Sequence, residues 1–265
     1  MELPPYPETE CGPEQLLRAA EHGDEGAVKL LLERQDIDPN TTDTEYGRTA
    51  LERAARQGHD GIVKLLLGRK NINLNTLGPK SHLTPLAWAA WAGHERVVEL
   101  LLQREDSNPD TADTKHRLRP LHWAAQQGHE GVVKLLLDRD DIDPNTRDTI
   151  YHLTPLLWAV ECGHERVVKL LLEHGDLDPE ILGPRGLIAL EVAAFLKHAG
   201  IVQMFSQATP SLFPEYPAPK PSKPHPGSIP GTSWPCILIQ AILWTGLLAL
   251  LLSSPLTILA CFGNL

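Results

Sequence analysis

An internal repeat constrains the fold of this chain more than any other sequence feature. Glycine followed by histidine recurs at residues 58, 93, 128 and 163 with a constant step of 35, and the aligned Gly23 is followed by Asp24. Alignment on this step gives six copies, numbered repeats 1 to 6, which begin at Pro13, Arg48, Leu83, Leu118, Leu153 and Leu187. Repeats of this length form one supersecondary unit each and bury their apolar faces by stacking. We therefore expect an array rather than a single globular core.

Each repeat is predicted to form two short helices and a loop. Thr84-Pro85 and Thr154-Pro155 supply an N-cap hydroxyl followed by the proline that is tolerated at the first helical position. Thr49 with Glu52 predicts a capping box. The second helix carries valines and leucines at the i, i+4 spacing that faces a neighbour. Asp-Pro-Asn at 38–40 is typical of the turn that follows it.

These motifs carry a family resemblance. The order T-P-L-x-x-A-A, G-H, V-V-K-L-L-L and then a D-x-N-like turn resembles the ankyrin repeat across roughly residues 13–206, in the fungal-type form with tryptophan before the alanine pair. The resemblance implies an all-α ankyrin-repeat solenoid. Repeat 6 departs from the pattern because Lys197 replaces the glycine and "MFSQ" from Met204 replaces the triple leucine. We expect it to be a capping or fraying repeat.

The Gly-His pairs raise the question of a metal site. "GHERVVKLLL" at 163–172 begins like a zinc-protease helix, in which the motif His-Glu-x-x-His supplies two metal-binding histidines. The second histidine is missing here, because Val168 stands at its position and cannot bind metal. Stacked helices lie about 8–10 Å apart, which is too far for neighbouring histidines to share an ion bound at ~2 Å. By analogy with the family, we interpret these histidines as structural residues that hydrogen-bond loop backbone. The glutamates after them favour the start of the second helix through its dipole.

The resemblance also implies where a partner binds. Ankyrin-like arrays bind proteins along a concave groove, formed by the loop tips between repeats and the exposed face of the first helix. Carried over by position, the two residues before each Gly-His pair face this groove. The candidate partner-binding residues are therefore Tyr46, Arg56, Gln57, Lys80, His82, Trp91, Lys115, Gln126, Gln127, Tyr151 and Glu161.

The tryptophans divide into two kinds. Trp91 stands where other repeats have polar residues, so it is a candidate interface anchor; the alternative is that it packs on its neighbouring loop. Trp88, Trp123 and Trp158 recur at one register. A stripe in register with the repeat indicates packing between adjacent repeats.

Composition excludes several functions. The net charge of −10 argues against nucleic-acid binding, which needs clustered cations. The four cysteines lie far apart without C-x-x-C pairing, which indicates reduced thiols rather than zinc ribbons or disulfides. The segments outside the repeats contain neither a P-loop nor a nucleophile elbow. We predict a non-enzymatic protein-interaction scaffold with no cofactor, metal or small-molecule substrate.

The carboxyl-terminal segment changes character abruptly. Residues 1–12 are predicted to be disordered, 13–206 to form the array, and 207–233 to be a disordered, proline-rich linker. Residues 234–262 contain no Asp, Glu, Lys or Arg and exceed the ~20 apolar residues that cross a bilayer. They predict a transmembrane helix that contacts the lipid bilayer through residues 236–262, with the repeats facing the cytosol. The alternatives are a GPI signal, for which the chain shows no secretory leader, and a mis-assigned exon, which would leave a soluble cytosolic or nuclear adaptor.

Overall fold

The computed structural model describes residues 12–78, 80, 82–175, 177 and 187–212. These residues are helical, apart from turns and an isolated bridge between Thr42 and Thr49. The helices in chain order are α1 (Gly12–His22), α2 (Glu25–Glu33), α3 (Ala50–Gln57), α4 (Asp60–Leu67), α5 (Pro85–Ala92), α6 (Glu95–Leu102), α7 (Pro120–Gln127), α8 (Glu130–Leu137), α9 (Pro155–Glu161), α10 (Glu165–Glu173), α11 (Leu187–Phe195) and α12 (Ala199–Leu212). The all-α prediction is therefore confirmed for the described part of the chain.

The chain divides into two compact bodies, Met1–Ala159 with His164–Asp178, and Val160–Gly163 with Pro179–Leu265. In the first body, helix A denotes the first helix of each repeat and helix B the second. Each helix A packs on the next, as α1 on α3, α3 on α5 and α5 on α7, and α2, α4, α6, α8 and α10 form a second row. Two stacked rows of helices make this body a helical solenoid, as the repeat predicted.

Small and branched side chains fill the space between neighbouring helices. The alanine pair in the middle of helix A is fully buried, as at Ala89 and Ala90. Because alanine projects only a methyl group, adjacent A helices can approach closely. In helix B the buried residues include Val97, Val98 and Leu101. These are the apolar positions whose spacing predicted a face turned toward a neighbour.

The predicted N-caps form at the threonines. The hydroxyl of Thr84 accepts a hydrogen bond from Ala87 N at 3.1 Å, and that of Thr154 accepts one from Leu157 N at 3.3 Å. Thr49 likewise accepts from Glu52 N at 3.2 Å. The carboxylate of Glu52 is buried, and it accepts a hydrogen bond from the hydroxyl of Thr76 in the following loop at 3.0 Å.

Repeat 4 lacks the cap threonine and uses a histidine instead. The backbone N–H of Arg119 donates to His122 Nδ1 at 3.2 Å, and His122 Nε2 donates to the carbonyl of Thr146 at 3.1 Å. The side chain is only 1% exposed, and burial lowers the pKa of His122 to about 4. The imidazole is therefore neutral at physiological pH, with its proton on Nε2.

The second body contains α11 and α12, which pack against each other. Its buried side chains include Ala193, Ile201 and Phe205. Lys197 has φ +63 at the position of the repeat glycine. Helix α12 continues to Leu212, past the predicted array end at 206 and into the stretch predicted as linker.

The remaining carboxyl-terminal predictions lie outside the described residues. Among the helices that the structure describes, none combines the length and the apolar character needed to cross a bilayer. The predicted linker from residue 213 onward and the predicted span at 234–262 lie outside the described residues.

Candidate protein-binding face

The turn between helix A and helix B requires glycine for two reasons. Gly93 has φ +77, in the left-handed region that L residues disfavour. In addition, a Cβ on Gly93 would lie 2.6 Å from the imidazole ring of His129, and one on Gly58 would lie 2.6 Å from the ring of His94. The glycine of one repeat therefore makes room for the histidine of the next.

The histidine that fills this space hydrogen-bonds to the preceding repeat. Its Nε2 donates to the backbone carbonyl two residues before that repeat's glycine. The pairs are His59 to Glu21 at 3.1 Å, His94 to Arg56 at 3.0 Å, His129 to Trp91 at 3.0 Å and His164 to Gln126 at 2.9 Å. In the second body His198 Nε2 donates to the carbonyl of Glu161 at 3.3 Å. We call this series the turn ladder.

The ladder confirms the structural interpretation of the histidines and corrects one detail. Carbonyls in the last turn of a helix lack an intrahelical partner. The acceptors lie at the ends of the A helices, so each histidine satisfies such a carbonyl rather than loop backbone. Burial also lowers the pKa of His129, which favours the neutral ring. Within the described ranges, no group of three or more His, Cys, Asp or Glu side chains is placed to hold a metal ion.

The first repeat shows why its glycine is followed by aspartate. No described repeat precedes repeat 1, so a histidine there would have no helix-A carbonyl to reach. Asp24 instead caps its own helix, since its Oδ1 accepts a hydrogen bond from Ala27 N at 2.9 Å. His59, His94, His129 and His164 occupy the same N-cap position and make no side-chain cap bond. The residue thus serves the neighbouring repeat where one exists, and its own helix where none is described.

A second ladder follows the ends of the B helices. Arg104 Nη1 donates to the carbonyl of Leu67 at 2.7 Å, and Arg139 Nη1 donates to that of Leu102 at 3.2 Å. Arg69 makes the same bond to Leu32, and His174 makes it to Leu137 at 3.3 Å. Arg104 and Arg139 also pair with the aspartates two residues later, Asp106 and Asp141, at 2.8 and 2.7 Å, and Arg34 pairs in the same way with Asp36 at 2.6 Å.

The loops between repeats end in tips, defined here as residues 43–48, 78–83, 113–118 and 148–153 and numbered tips 1 to 4. A buried aspartate holds three of them, because its carboxylate accepts backbone N–H groups from across the turn. Asp113 accepts from Lys115, His116 and Leu118 at 2.8, 2.6 and 2.7 Å. Asp43 and Asp148 do the same in tips 1 and 4. Tip 2 has Gly78 at this position and so lacks the carboxylate.

The buried aspartates of tips 1 and 4 contact side chains of helix A, so the tips and that helix share one surface. Arg53 of α3 donates to Asp43 Oδ2 at 3.1 Å. Trp158 of α9 donates to Asp148 Oδ2 at 3.2 Å and lies edge-on to Tyr151, with ring centroids 5.7 Å apart. Trp158 of repeat 5 thus contacts the tip that ends repeat 4, which is packing between adjacent repeats.

The exposed side of helix A carries an aromatic cluster. Trp88 and Trp91 form a perpendicular pair with centroids 5.8 Å apart, and the Arg56 guanidinium of the preceding repeat lies 5.0 Å from the Trp88 ring. Burial lowers the pKa of Arg56. Trp91 thus packs edge-on against Trp88. Both tryptophans remain partly exposed, as does Trp123.

These positions follow the i, i+3, i+4 spacing of a helix stripe, which we call the helix-A face. Its partly or fully exposed members are Arg53, Arg56, Gln57, Trp88, Trp91, Ala92, Trp123, Gln126 and Gln127. Sequence reasoning assigned Trp88 and Trp123 to packing between repeats, and Trp88 does contact Arg56 of repeat 2. The residues three positions after them are exposed on the same stripe, which was the signal that both also belong to the surface.

The structure brings the predicted partner-binding residues of the first body to these two adjoining regions. Gln57, Trp91, Gln126 and their neighbours lie at the end of helix A, and Glu161 ends α9. Tyr46, Lys80, Lys115, His82 and Tyr151 lie on the tips. Of the tip residues, His82 is tied to the next tip, because its Nδ1 lies 2.7 Å from Thr114 Oγ1. The others leave surface open to solvent.

The first body is thus a solenoid of helix pairs with a continuous surface of tips and A helices, the architecture of a repeat protein that offers an extended binding face. A family model of ankyrin repeats matches in three overlapping copies, at residues 6–78, 71–148 and 121–211. These matches cover well over half of the chain, which belongs to the ankyrin repeat family. Proteins of this family typically act as interaction modules. A comparison with curated proteins found no match.

Proposed function

We propose that the chain is a non-enzymatic scaffold that binds a protein partner on the helix-A face and the tips. The observation that carries the proposal is the partly exposed pair Trp88 and Trp91 on the helix-A face, at whose positions repeat 2 has Arg53 and Arg56. Partly exposed tryptophans are frequent interface anchors because they bury a large apolar area at a small entropic cost.

The surrounding contacts support a preformed site. The Trp91 carbonyl accepts the ladder bond from His129, which holds the end of α5 in place. Arg56 stacks on Trp88 from the preceding repeat. Because these groups are already ordered, a partner that binds them loses little conformational entropy from the scaffold side.

The test places a photo-crosslinking amino acid at Gln57 or Gln127 on the helix-A face of the full chain. Matched control positions are Lys64 and Lys134, which are exposed on the B helices. We expect a discrete protein adduct from the two face positions and none from the controls. Adducts of equal yield from both sides of the solenoid would contradict a specific face.

Trp91→Ala gives the second readout. Loss of an aromatic hot spot typically costs about 2 kcal/mol or more, or roughly thirtyfold in affinity. The adduct should therefore fall strongly, while the far-ultraviolet circular dichroism stays unchanged because Trp91 is only half-buried. An unchanged adduct would remove Trp91 from the site.

We also propose that the scaffold is held at a membrane through residues 236–262, with the repeats on the cytosolic side. The support is the sequence of residues 234–262, which has no charged side chain over more than the ~20 residues a bilayer requires. Alkaline-carbonate extraction of membranes tests this with the full chain beside a version truncated after Ser233. The full chain should stay in the pellet and the truncated chain should be released. Release of both would favour a soluble adaptor in the cytoplasm or nucleus.

A further inference from the structure

Two neighbouring tips of the first body carry three exposed cations. Lys80 of tip 2 and Lys115 and Arg117 of tip 3 are exposed, and none of the three forms an ion pair with another described residue. Arg34, Arg104 and Arg139 at the ends of B helices contrast with them, because an aspartate two residues later pairs with each. The one acidic side chain of tip 3, Asp113, is buried, so these cations form a basic strip in a chain of net charge −10.

The tip next along the array is apolar. Ile150 of tip 4 is 44% exposed, and Tyr151 beside it is partly exposed. The acidic residue of tip 4 adds no exposed negative charge, since Asp148 is 2% exposed and its oxygens accept backbone N–H groups. The order along the tips is therefore basic, basic, apolar, with Trp91 on the adjoining helix-A face.

Resting on the proposed function, we infer that the partner binds through an extended acidic segment that ends in an apolar residue. Two acidic side chains of the segment pair with Lys80 and with Lys115 or Arg117, and the apolar side chain packs on Ile150 and Tyr151. Neighbouring repeats are about 8–10 Å apart, and an extended chain advances about 3.3–3.6 Å per residue. Contacts about three residues apart in the segment therefore match successive tips.

Other polyanions fit this surface less well. Nucleic acid and anionic lipid bind many clustered cations, whereas the strip offers three, on a body whose net charge repels such partners. An acidic peptide needs only a few charge pairs, and its apolar residue uses the exposed side chains of tip 4. Charge complementarity together with this apolar neighbour thus selects a protein segment.

The experiment measures binding of the full chain, held in zwitterionic nanodiscs, to a fluorescein-labelled peptide of ~10 residues. Its two glutamates are three positions apart and a leucine follows three further on. We expect binding that weakens as ionic strength rises, and no binding of the peptide with lysine in place of glutamate. The triple variant K80E/K115E/R117E should lose at least tenfold in affinity.

The matched control is K29E/K64E/K134E, which makes the same change in net charge on exposed lysines of the B helices. It should bind the acidic peptide within about twofold of the natural chain, since those charges lie away from the tips. Equal losses in the two triple variants would overturn the inference, because net charge alone would then account for binding. So would equal binding of the lysine peptide, competition by phosphatidylserine nanodiscs at comparable affinity, or self-association through the tips.

The outcome is separable from that of the proposed function. If crosslinking from Gln57 remains dependent on Trp91 but is unaffected by K80E/K115E/R117E, the scaffold function stands and the acidic-segment inference fails. If the crosslink from Gln57 does not depend on Trp91 and the peptide does not bind, the proposed function fails together with the acidic-segment inference.

Discussion

The turn ladder and the tips handle their polar groups in opposite ways. Along the ladder repeats 2 to 5 use the same Gly-His pair, each histidine fills a space left by a glycine, and its Nε2 satisfies a helix-end carbonyl. On the tips the outer residues differ from repeat to repeat, and Lys80, Lys115 and Arg117 pair with nothing described. The difference separates residues that hold the repeats together from residues that remain available to a partner.

Backbone conformation follows the same division. The left-handed positions of the ladder in the first body are all glycine, whereas on the tips His82, Arg117 and His152 have φ of +57, +57 and +56. A non-glycine residue in this region costs roughly 1 kcal/mol. The tips therefore carry side chains at left-handed positions, at a conformational cost that the ladder avoids. These positions thus keep polar or charged side chains, where the ladder of the first body has only glycine.

Gly93→Ala is the sharpest test of the ladder. The added Cβ would lie only 2.6 Å from the His129 ring, so it should displace that ring and leave the Trp91 carbonyl unsatisfied. The left-handed backbone at residue 93 adds a conformational cost. We expect a loss of about 3–4 kcal/mol in the free energy of unfolding, measured by urea denaturation. Gly26→Ala is the matched control: Gly26 is exposed within α2 and a Cβ there meets only Asp24 at 3.5 Å, so it should stabilise by about 0.5–1 kcal/mol. Equal effects would show that the histidine contact contributes nothing.

Acid should destabilise the fold through the buried His122 of repeat 4. The pKa of His122 is lowered to about 4 in the folded protein, below the ordinary value of about 6.5 that applies when the chain is unfolded. The unfolded chain therefore takes up the proton first, and the free energy of unfolding falls as pH drops from about 6.5 to about 4, by about 2–3 kcal/mol.

His122→Gln provides the control for that pH dependence. Glutamine does not titrate, so the difference between denaturation midpoints at pH 7 and pH 4.5 should shrink in the variant, even if the variant is less stable at both. An undiminished pH dependence would assign the acid sensitivity to groups other than His122.

Gly78→Asp tests whether the tips share one internal support. Tips 1, 3 and 4 have an aspartate whose carboxylate accepts backbone N–H groups, and tip 2 has Gly78. Supplying the carboxylate should stabilise the array by about 1 kcal/mol in urea denaturation. Gly78→Ala removes the same glycine without adding an acceptor, and should not reproduce the gain. If both variants behave alike, the aspartates of the other tips are not the source of their order.

The smallest effect on stability is expected where the effect on binding is largest. K80E/K115E/R117E changes exposed side chains without described ion pairs, so the free energy of unfolding should stay within about 0.5 kcal/mol of the natural chain. A loss of several kcal/mol in the free energy of unfolding, measured by urea denaturation, would mean that the tip side chains stabilise the fold. The contrast with the ladder would then be wrong.

Much of the fold was predictable because its determinants are local. The step of 35, the threonine caps, the proline at the first helical position and the glycine stops all act within a few residues of the chain. The binding face was only partly predictable. Trp91 was identified as an exception to a polar pattern, but its support by Trp88 and the stacking of Arg56 depend on side-chain positions across two repeats.

The sequence by itself determined the helix pairs and their number of repeats, since periodicity and capping are properties of short segments. Only the tertiary structure decided which side chain meets which. Gly93 and His94 are adjacent in the chain, yet Gly93 faces the ring of His129 and His94 reaches back to the carbonyl of Arg56. Residues 36 to 38 positions apart meet because each repeat stacks on the last. Stacking also brings tips from separate repeats to one side, where their free charges become a single surface.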